Sequence, residues 1–170
     1  MSPEWVSTGI AEHHQLDGFD CGVDDLNRWL VDSAWQADRK DTARTYVWTQ
    51  RGQSRVMAYF AITPTQVNRI EDGISKTACG QLDRVPAFLI AKLALEQSIA
   101  GVGNGRHLAL DAITRVVGVS QLGGGRLIVV DAIDEGAAEF YRKIDFIPVA
   151  NTPLRLYMKI ATARAALGVP

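Results

Sequence analysis

From Val23 the apolar residues recur at Leu26, Trp29, Leu30, Ala34 and Ala37, while Asp24, Asp25, Arg28, Asp32 and Asp38 take the other side. That spacing predicts an amphipathic helix, and the acids in its first turn suit the positive end of the helix dipole. Ahead of it, residues 5–14 predict a strand running into a loop, and DGFDCG at 17–22 supplies the turn that opens the helix. The polar segment 38–44 is expected at the surface. TYVWT at 45–49 and RVMAYFAI at 55–62, separated by the turn residues at 51–54, predict a hairpin from their β-branched and aromatic content. Residues 64–84 predict mainly loop, with a short strand near 66–70, before a central strand at 87–96. A second helix is expected over 105–117, with Leu108, Ala109, Ala112, Ile113 and Val116 as its apolar stripe, ended by Gly118 and the triplet at 123–125. LIVVD at 127–131 is a continuous apolar run of the kind buried on both faces, followed by a helix at 135–143 and strands at 146–149 and 154–160. This order predicts an α/β (α+β) fold with a mixed central sheet of six to seven strands and helices on both faces.

Composition narrows the picture without redirecting it. At 170 residues the chain is expected to form a single domain, 1–170, and 47% hydrophobic with 22% charged residues describes an ordinary globular protein. No apolar run is long enough to span a bilayer and the N-terminus lacks the pattern of a signal peptide, so no membrane partner and a cytoplasmic location are expected. Cys21 and Cys79 lack metal-ligand spacing and are expected as unpaired thiols; His13 and His14 have no carboxylate or cysteine at ligand spacing, so no metal is expected. With 18 Lys plus Arg against 19 Asp plus Glu, the net charge of −1 gives no global attraction to nucleic acid, and any such binding must use a local patch.

The stretch that organises the chain is KLALEQSIAGVGNGRHLALDAITR at 92–115, a strand end, three alternating glycines and a helix. Gly101, Gly103 and Gly105 have no β-carbon, so main-chain N–H groups and the unpaired donors of the next helical turn can approach an anion closely. Taken alone, this pattern serves a tight turn as readily as a phosphate cradle.

The element order, LALEQSIAGVGNGRH at 93–107 and DAIDEGAAEFYRKIDFIP at 131–148 together resemble the GNAT superfamily of acetyl-CoA-dependent N-acetyltransferases. Its pyrophosphate motif, Gln or Arg, any two residues, Gly, any residue, Gly or Ala, falls on Ala100, Gly101, Val102, Gly103, Asn104 and Gly105. Both small residues are present and Ala100 replaces the leading Gln or Arg. The resemblance implies acetyl-CoA as cosubstrate, held at its pyrophosphate largely by main-chain donors, with Arg106 as a compensating charge. It also implies that Leu93, Ala94 and Leu95 offer main chain to the acetyl carbonyl and pantetheine, and that Asp134, Ala137 and Phe140 line the pantetheine. Tyr141 then stands where the family has the general acid that protonates the departing CoA thiolate. Asp145 stands where a Gly is common. Glu96 is the nearest carboxylate able to relay a proton, but it is expected as a solvated strand end and is not named as a base.

A narrower resemblance covers most of the chain. Phe19, Cys21 and Gly22 before the first helix, Leu26, Trp29 and Leu30 within it, Arg44, Thr45, Tyr46 and Val47 opening the next strand, and RVPAFLIAKLALE at 84–96 resemble the GNAT toxins of toxin–antitoxin pairs. These acetylate the α-amino group of aminoacyl-tRNA and stop translation. The resemblance implies a homodimer, neutralised by a ribbon-helix-helix antitoxin. The substrate suits a site with no evident base, because an α-amine titrates at about 7.7 to 8.0 against roughly 10.4 for lysine. Arg39, Lys40, Arg44, Arg84 and Lys92 are the candidate phosphate contacts for tRNA. Two other readings stay open: a GNAT acting on a small amine or a protein N-terminus, and a non-catalytic acyl-CoA-binding or scaffolding protein, which Ala100 motivates.

Overall fold

The computed structural model describes residues 4–170. Seven strands form one mixed sheet in the order β1-β2-β3-β4-β5-β7-β6. In chain order they are β1 (Trp5–Gly9), β2 (Arg44–Gln50), β3 (Ala58–Asn68), β4 (Arg84–Leu95), β5 (Leu127–Asp131), β6 (Ile147–Pro148) and β7 (Arg155–Lys159). The helices are α1 (Asp24–Asp32), α2 (Ala34–Arg39), α3 (Arg69–Asp72), α4 (Asn104–Gly123), α5 (Glu135–Lys143) and α6 (Ile160–Ala166), with a 3-10 turn at Gln97–Ile99. The chain divides into two compact units, one of the described residues through Thr63 with Ala91–Ala112, the other of Pro64–Ile90 with Ile113–Pro170.

In the first unit β1 and β3 flank β2 antiparallel, from Trp5↔Gln50 to Gly9↔Tyr46 on one side and from Arg44↔Ile62 to Trp48↔Ala58 on the other. Phe19, Leu30, Ala34, Val47, Val56, Tyr59 and Ala94 make its core. The single helix expected from Val23 to Ala37 is two, broken at Ser33 (φ −126°, ψ −31°). The break leaves backbone bonds intact, since Ser33 N–H donates to Trp29 O and Ala37 N–H to Ser33 O, both at 2.9 Å. Asp32 and Ser33 are weak helix formers, and both Leu30 and Ala34, on either side of them, are fully buried. Tyr59 fastens α1 to the sheet: its hydroxyl donates to Leu26 O at 2.7 Å and its ring stacks on Trp29.

In the second unit the first part of β4 runs parallel to β5, Ala87↔Leu127 to Ile90↔Val130, and β7 pairs antiparallel with β5 and with β6. Val67, Val85, Ala87, Leu127, Val129, Val149 and Tyr157 are in its core. The stretch expected to be mainly loop carries more order than its sequence suggests. β3 continues through Pro64 to Asn68; its ladder with β2 ends at Ile62, so the missing proline N–H breaks no bond there. Asn68 then caps α3, its side-chain oxygen accepting from Ile70 N and Glu71 N, and Gly73 closes the helix at φ +79°.

Two further expectations are corrected. α4 does not stop at Gly118 but runs to Gly123, where Gly124 and Gly125 turn left-handed. One interior glycine costs a helix about 1 kcal/mol, less than is gained by burying Val116 and Val117 beside it. The alanine-rich C-terminus forms α6, with Ile160 and Ala163 buried, where only the end of a strand was expected. Among the described residues no helix is long and apolar enough to cross a membrane.

Candidate active site

The glycine stretch lies in the first unit. β4 ends at Leu95; Ala94 is buried, and Leu93 and Leu95 are half-buried. The chain then makes the 3-10 turn at Gln97–Ile99, passes through an extended Ala100 (φ −77°, ψ 159°) and enters the glycines. Gly101 and Gly103 sit at φ +81° and +88°, and a β-carbon on either would meet nothing within 4 Å. Their conformation, not crowding, demands glycine, and the space around them is open to a ligand. α4 begins at Asn104, whose amide donates to Ile99 O at 3.0 Å and fixes the turn to the helix start. The first-turn N–H groups of α4 have no acceptor within the helix. Val102 and Arg106 are exposed, and Gly105 is half-buried. This geometry fits an anion such as a pyrophosphate, gripped by main chain.

Glu96 departs from the solvated strand end expected for it. It is 8% exposed, its carboxylate accepts from Asp20 N at 3.0 Å, and Arg55 lies 3.8 Å away. Glu96 N donates to Met57 O, and Gln97 N to Asp20 O. Asp20 in turn accepts from Gly22 N and Asn27 Nδ2; the Gly22 bond, then the Asn27 bond, hold its carboxyl below the ordinary range. Glu96 therefore locks the loop before α1 onto the end of β4, just where the cradle departs. Asp111, in the middle of α4, does the same further on, accepting from Ser7 Oγ at 2.5 Å and Trp48 Nε1 at 2.8 Å. Neither tie was expected; the signal for the second was an acid beside the apolar stripe at Leu108, Ala109, Ala112 and Ile113.

The other expected site residues lie in the second unit, on and before α5. Asp134 is the N-cap of that helix, its carboxylate accepting from Ala137 N at 2.8 Å. Phe140 is half-buried and Tyr141 is 8% exposed. The Tyr141 ring stands edge-on to Phe140 at 5.2 Å and to Phe146 at 5.5 Å. Burial pushes its phenol up to about 12, so the group holds its proton at neutral pH and is a donor rather than a base. Among the described residues its hydroxyl has no hydrogen-bond partner. Asp145 follows at φ +74°, the left-handed conformation that explains why a glycine is common there.

The expected tRNA contacts are scattered in character. Arg44 is bound to Asp41 at 2.6 Å and lies 3.6 Å from Asp38, so much of its charge is answered within the chain. Arg39 stacks over Trp35 at 5.7 Å and Lys92 over Trp29 at 5.8 Å. Lys40 and Arg84 are exposed. Cys21 and Cys79 are free thiols. His14 Nδ1 accepts from Ala11 N, and among the described residues no group of His, Cys, Asp and Glu is gathered to hold a metal.

Comparison with known proteins gives these features a class. No family model matches the chain. The fold is that of the GNAT toxins: it superposes on AtaT complexed with acetyl-methionyl-tRNAfMet with a TM-score of 0.87 at 22% identity, covering 96% of this chain and 99% of that one. It also superposes on an AtaT mutant bound to the antitoxin AtaR C-terminus and acetyl-CoA, with a TM-score of 0.83 at 22% identity, covering 97% and 99%. Sequence carries the relation further. The chain is 30% identical over 159 residues to the tRNA-acetylating toxin of Mycobacterium tuberculosis, covering 94% of each. It is 26% identical over 164 residues to the probable toxin TacT of Sinorhizobium fredii, covering 91% of this chain and 90% of that one. The chain belongs to the family of tRNA-acetylating GNAT toxins.

Proposed function

We propose that this protein is an acetyl-CoA-dependent N-acetyltransferase, a toxin that acetylates the α-amino group of aminoacyl-tRNA and so blocks translation. What carries this activity is the 30% identity to a tRNA-acetylating toxin along 94% of both chains. The site is built accordingly. The whole chain works as one acetyltransferase domain. Ala100, Gly101, Val102, Gly103, Asn104 and Gly105 hold the pyrophosphate through main-chain N–H groups, with Arg106 adding charge. The main chain of Leu93, Ala94 and Leu95 donates to the acetyl carbonyl and pantetheine, and Asp134, Ala137 and Phe140 line the pantetheine.

The chemistry asks little of side chains. The acceptor amine reacts as its neutral form, already well populated near physiological pH. It attacks the thioester carbonyl and main-chain donors stabilise the developing oxyanion; as the C–S bond breaks, Tyr141 gives its phenol proton to the departing thiolate, and the proton released by the new amide nitrogen returns to the phenolate through solvent. The Tyr141 hydroxyl, protonated at neutral pH and with no hydrogen-bond partner among the described residues, supports that role. Arg39, Lys40, Arg84 and Lys92 contribute phosphate contacts, and Arg44 contributes least because Asp41 and Asp38 answer its charge. The protein acts in the cytoplasm as a homodimer and is neutralised by an antitoxin carrying a ribbon-helix-helix domain. Incubation with acetyl-CoA and bulk charged tRNA, followed by mass analysis of the released aminoacyl groups, tests the reading. Acetylated amino acids are expected; their absence while acetyl-CoA is bound would refute it and favour a binding or scaffolding role.

A further inference from the structure

The second unit carries a concavity that none of the expected tRNA contacts enters. Gly125, Arg126, Lys159, Ile160, Ala161 and Arg164 line a cavity of about 80 Å³. A concavity of this size accommodates a small oxyanion such as a single phosphate. Three of the six lining residues are cations and none is an acid. We propose that this cavity is an anion site that takes a backbone phosphate of the tRNA, remote from the reacting amine. The assignment rests on the aminoacyl-tRNA activity proposed above.

The fold brings these charges together from three elements. Gly125 turns at φ +114° where a β-carbon would lie 2.7 Å from the Phe88 ring, so only glycine allows the chain to deliver Arg126 here. Arg126 N donates to Pro86 O at 2.7 Å, and its guanidinium donates to Ala78 O and Thr77 O, each at 3.1 Å. Those carbonyls orient the side chain but do not neutralise it. Ile160 N donates to Arg126 O, which sets the end of β7, with Lys159, and the start of α6, with Arg164 one turn on, beside it.

Charge accounting separates this cluster from the rest of the surface. Arg28, Arg44, Arg69, Arg142 and Arg155 each have a carboxylate within 3 Å. Among the described residues Arg126, Lys159 and Arg164 have no carboxylate partner. Three unanswered cations around one concavity repel one another, and a bound phosphate relieves that. The cavity sits at the Leu127 end of β5, whereas Asp134 and Tyr141 follow from its Asp131 end. At about 3.3 Å per residue the strand separates the two by more than 10 Å, so the cavity would meet the RNA backbone well away from the 3′ end being acetylated.

The test compares the wild type with K159E/R164E and with K159Q/R164Q, leaving Arg126 to hold the loop at Thr77 and Ala78. Binding of bulk tRNA is followed by fluorescence anisotropy across a salt series, together with acetyl transfer from acetyl-CoA. The charge-reversed variant is expected to bind tRNA at least about tenfold more weakly at low salt. The slope of log affinity against log salt should become shallower by about 0.7 to 0.9, the share of one phosphate contact. The neutral variant should fall between, and the KM for acetyl-CoA should not move. Affinity and slope equal to the wild type would overturn the site, as would a wild type with no tRNA affinity. Unchanged tRNA binding with lost neutralisation by antitoxin would assign the cavity to an acidic peptide and also overturn it. A wild type that binds tRNA without acetylating it would sink the proposed activity, while the binding comparison would still decide the cavity.

Discussion

Replacing Tyr141 by Phe isolates the chemistry from the packing. The Tyr141 ring touches Phe140 and Phe146 edge-on, contacts that Phe reproduces, and its hydroxyl has no hydrogen-bond partner among the described residues. No paired donor is lost, so stability at pH 7 should change by no more than about 0.5 kcal/mol, well below the cost of an orphaned buried partner. Turnover should fall by about 10²- to 10⁴-fold, the usual value of a positioned general acid, with the KM for acetyl-CoA unchanged. The same hydroxyl has a second signature. Burial raises its pKa from 10.0 to about 12, so in alkali the unfolded chain loses this proton first and unfolding is favoured. The wild type's share of stability from this group is intact below pH 10 and is lost as pH rises through 12. At about 1.4 kcal/mol per unit it amounts to roughly 2 to 3 kcal/mol. Urea unfolding of both proteins from pH 8 to 12 should therefore show Y141F gaining on the wild type by about that amount. CoA release in the presence of charged tRNA gives the turnover. Unchanged turnover would refute Tyr141 as the acid; equal alkaline sensitivity would refute the buried phenol as described.

Other substitutions test other parts of the molecule. G101A and G103A place a β-carbon at φ near +80°, which costs about 1 kcal/mol or more each in the cradle; acetyl-CoA affinity by calorimetry should weaken while tRNA binding holds. D145G relieves the left-handed strain at φ +74° and should raise stability by up to about 1 kcal/mol, read as a higher urea midpoint. Y59F removes the hydroxyl's bond to the Leu26 carbonyl, which lies within α1, and should destabilise by about 0.5 to 1.5 kcal/mol, visible in thermal unfolding without a change in KM. E96A removes the acceptor of the Asp20 N–H; stability should fall by about 1 to 3 kcal/mol, with E96Q milder because an amide oxygen can still accept.

Periodicity located β5 and α5 to the residue, because an unbroken apolar run and a clean amphipathic repeat leave no competing pattern. It failed where tertiary packing outweighed local preference. Gly118 and Pro64 are breakers by rule, yet the helix and strand run through them, since buried neighbours supply more than the local cost. The turn before α4 was legible because the left-handed conformations of Gly101 and Gly103 call for glycine. The ties to Glu96 and Asp111 were not, because each joins residues 63 or more positions apart and no spacing rule connects them. The basic concavity was hidden for a related reason: Arg126, Lys159 and Arg164 carry no motif, and which cations remain unanswered depends on where the acids fold.

Ala100 and the two left-handed glycines bear on how such a gene can be silenced. With the pyrophosphate gripped by main-chain amides, as proposed, the cradle offers almost no side chain whose deletion would disarm it. A bacterium escaping the protein by point mutation would have to add bulk at Gly101 or Gly103, or strike elsewhere. Inactivating mutations selected on an uninhibited copy should therefore be sparse at Ala100 and concentrated at those two glycines, at Tyr141 and at residues whose loss unfolds the chain. Within this loop they should be gains of side chain rather than losses.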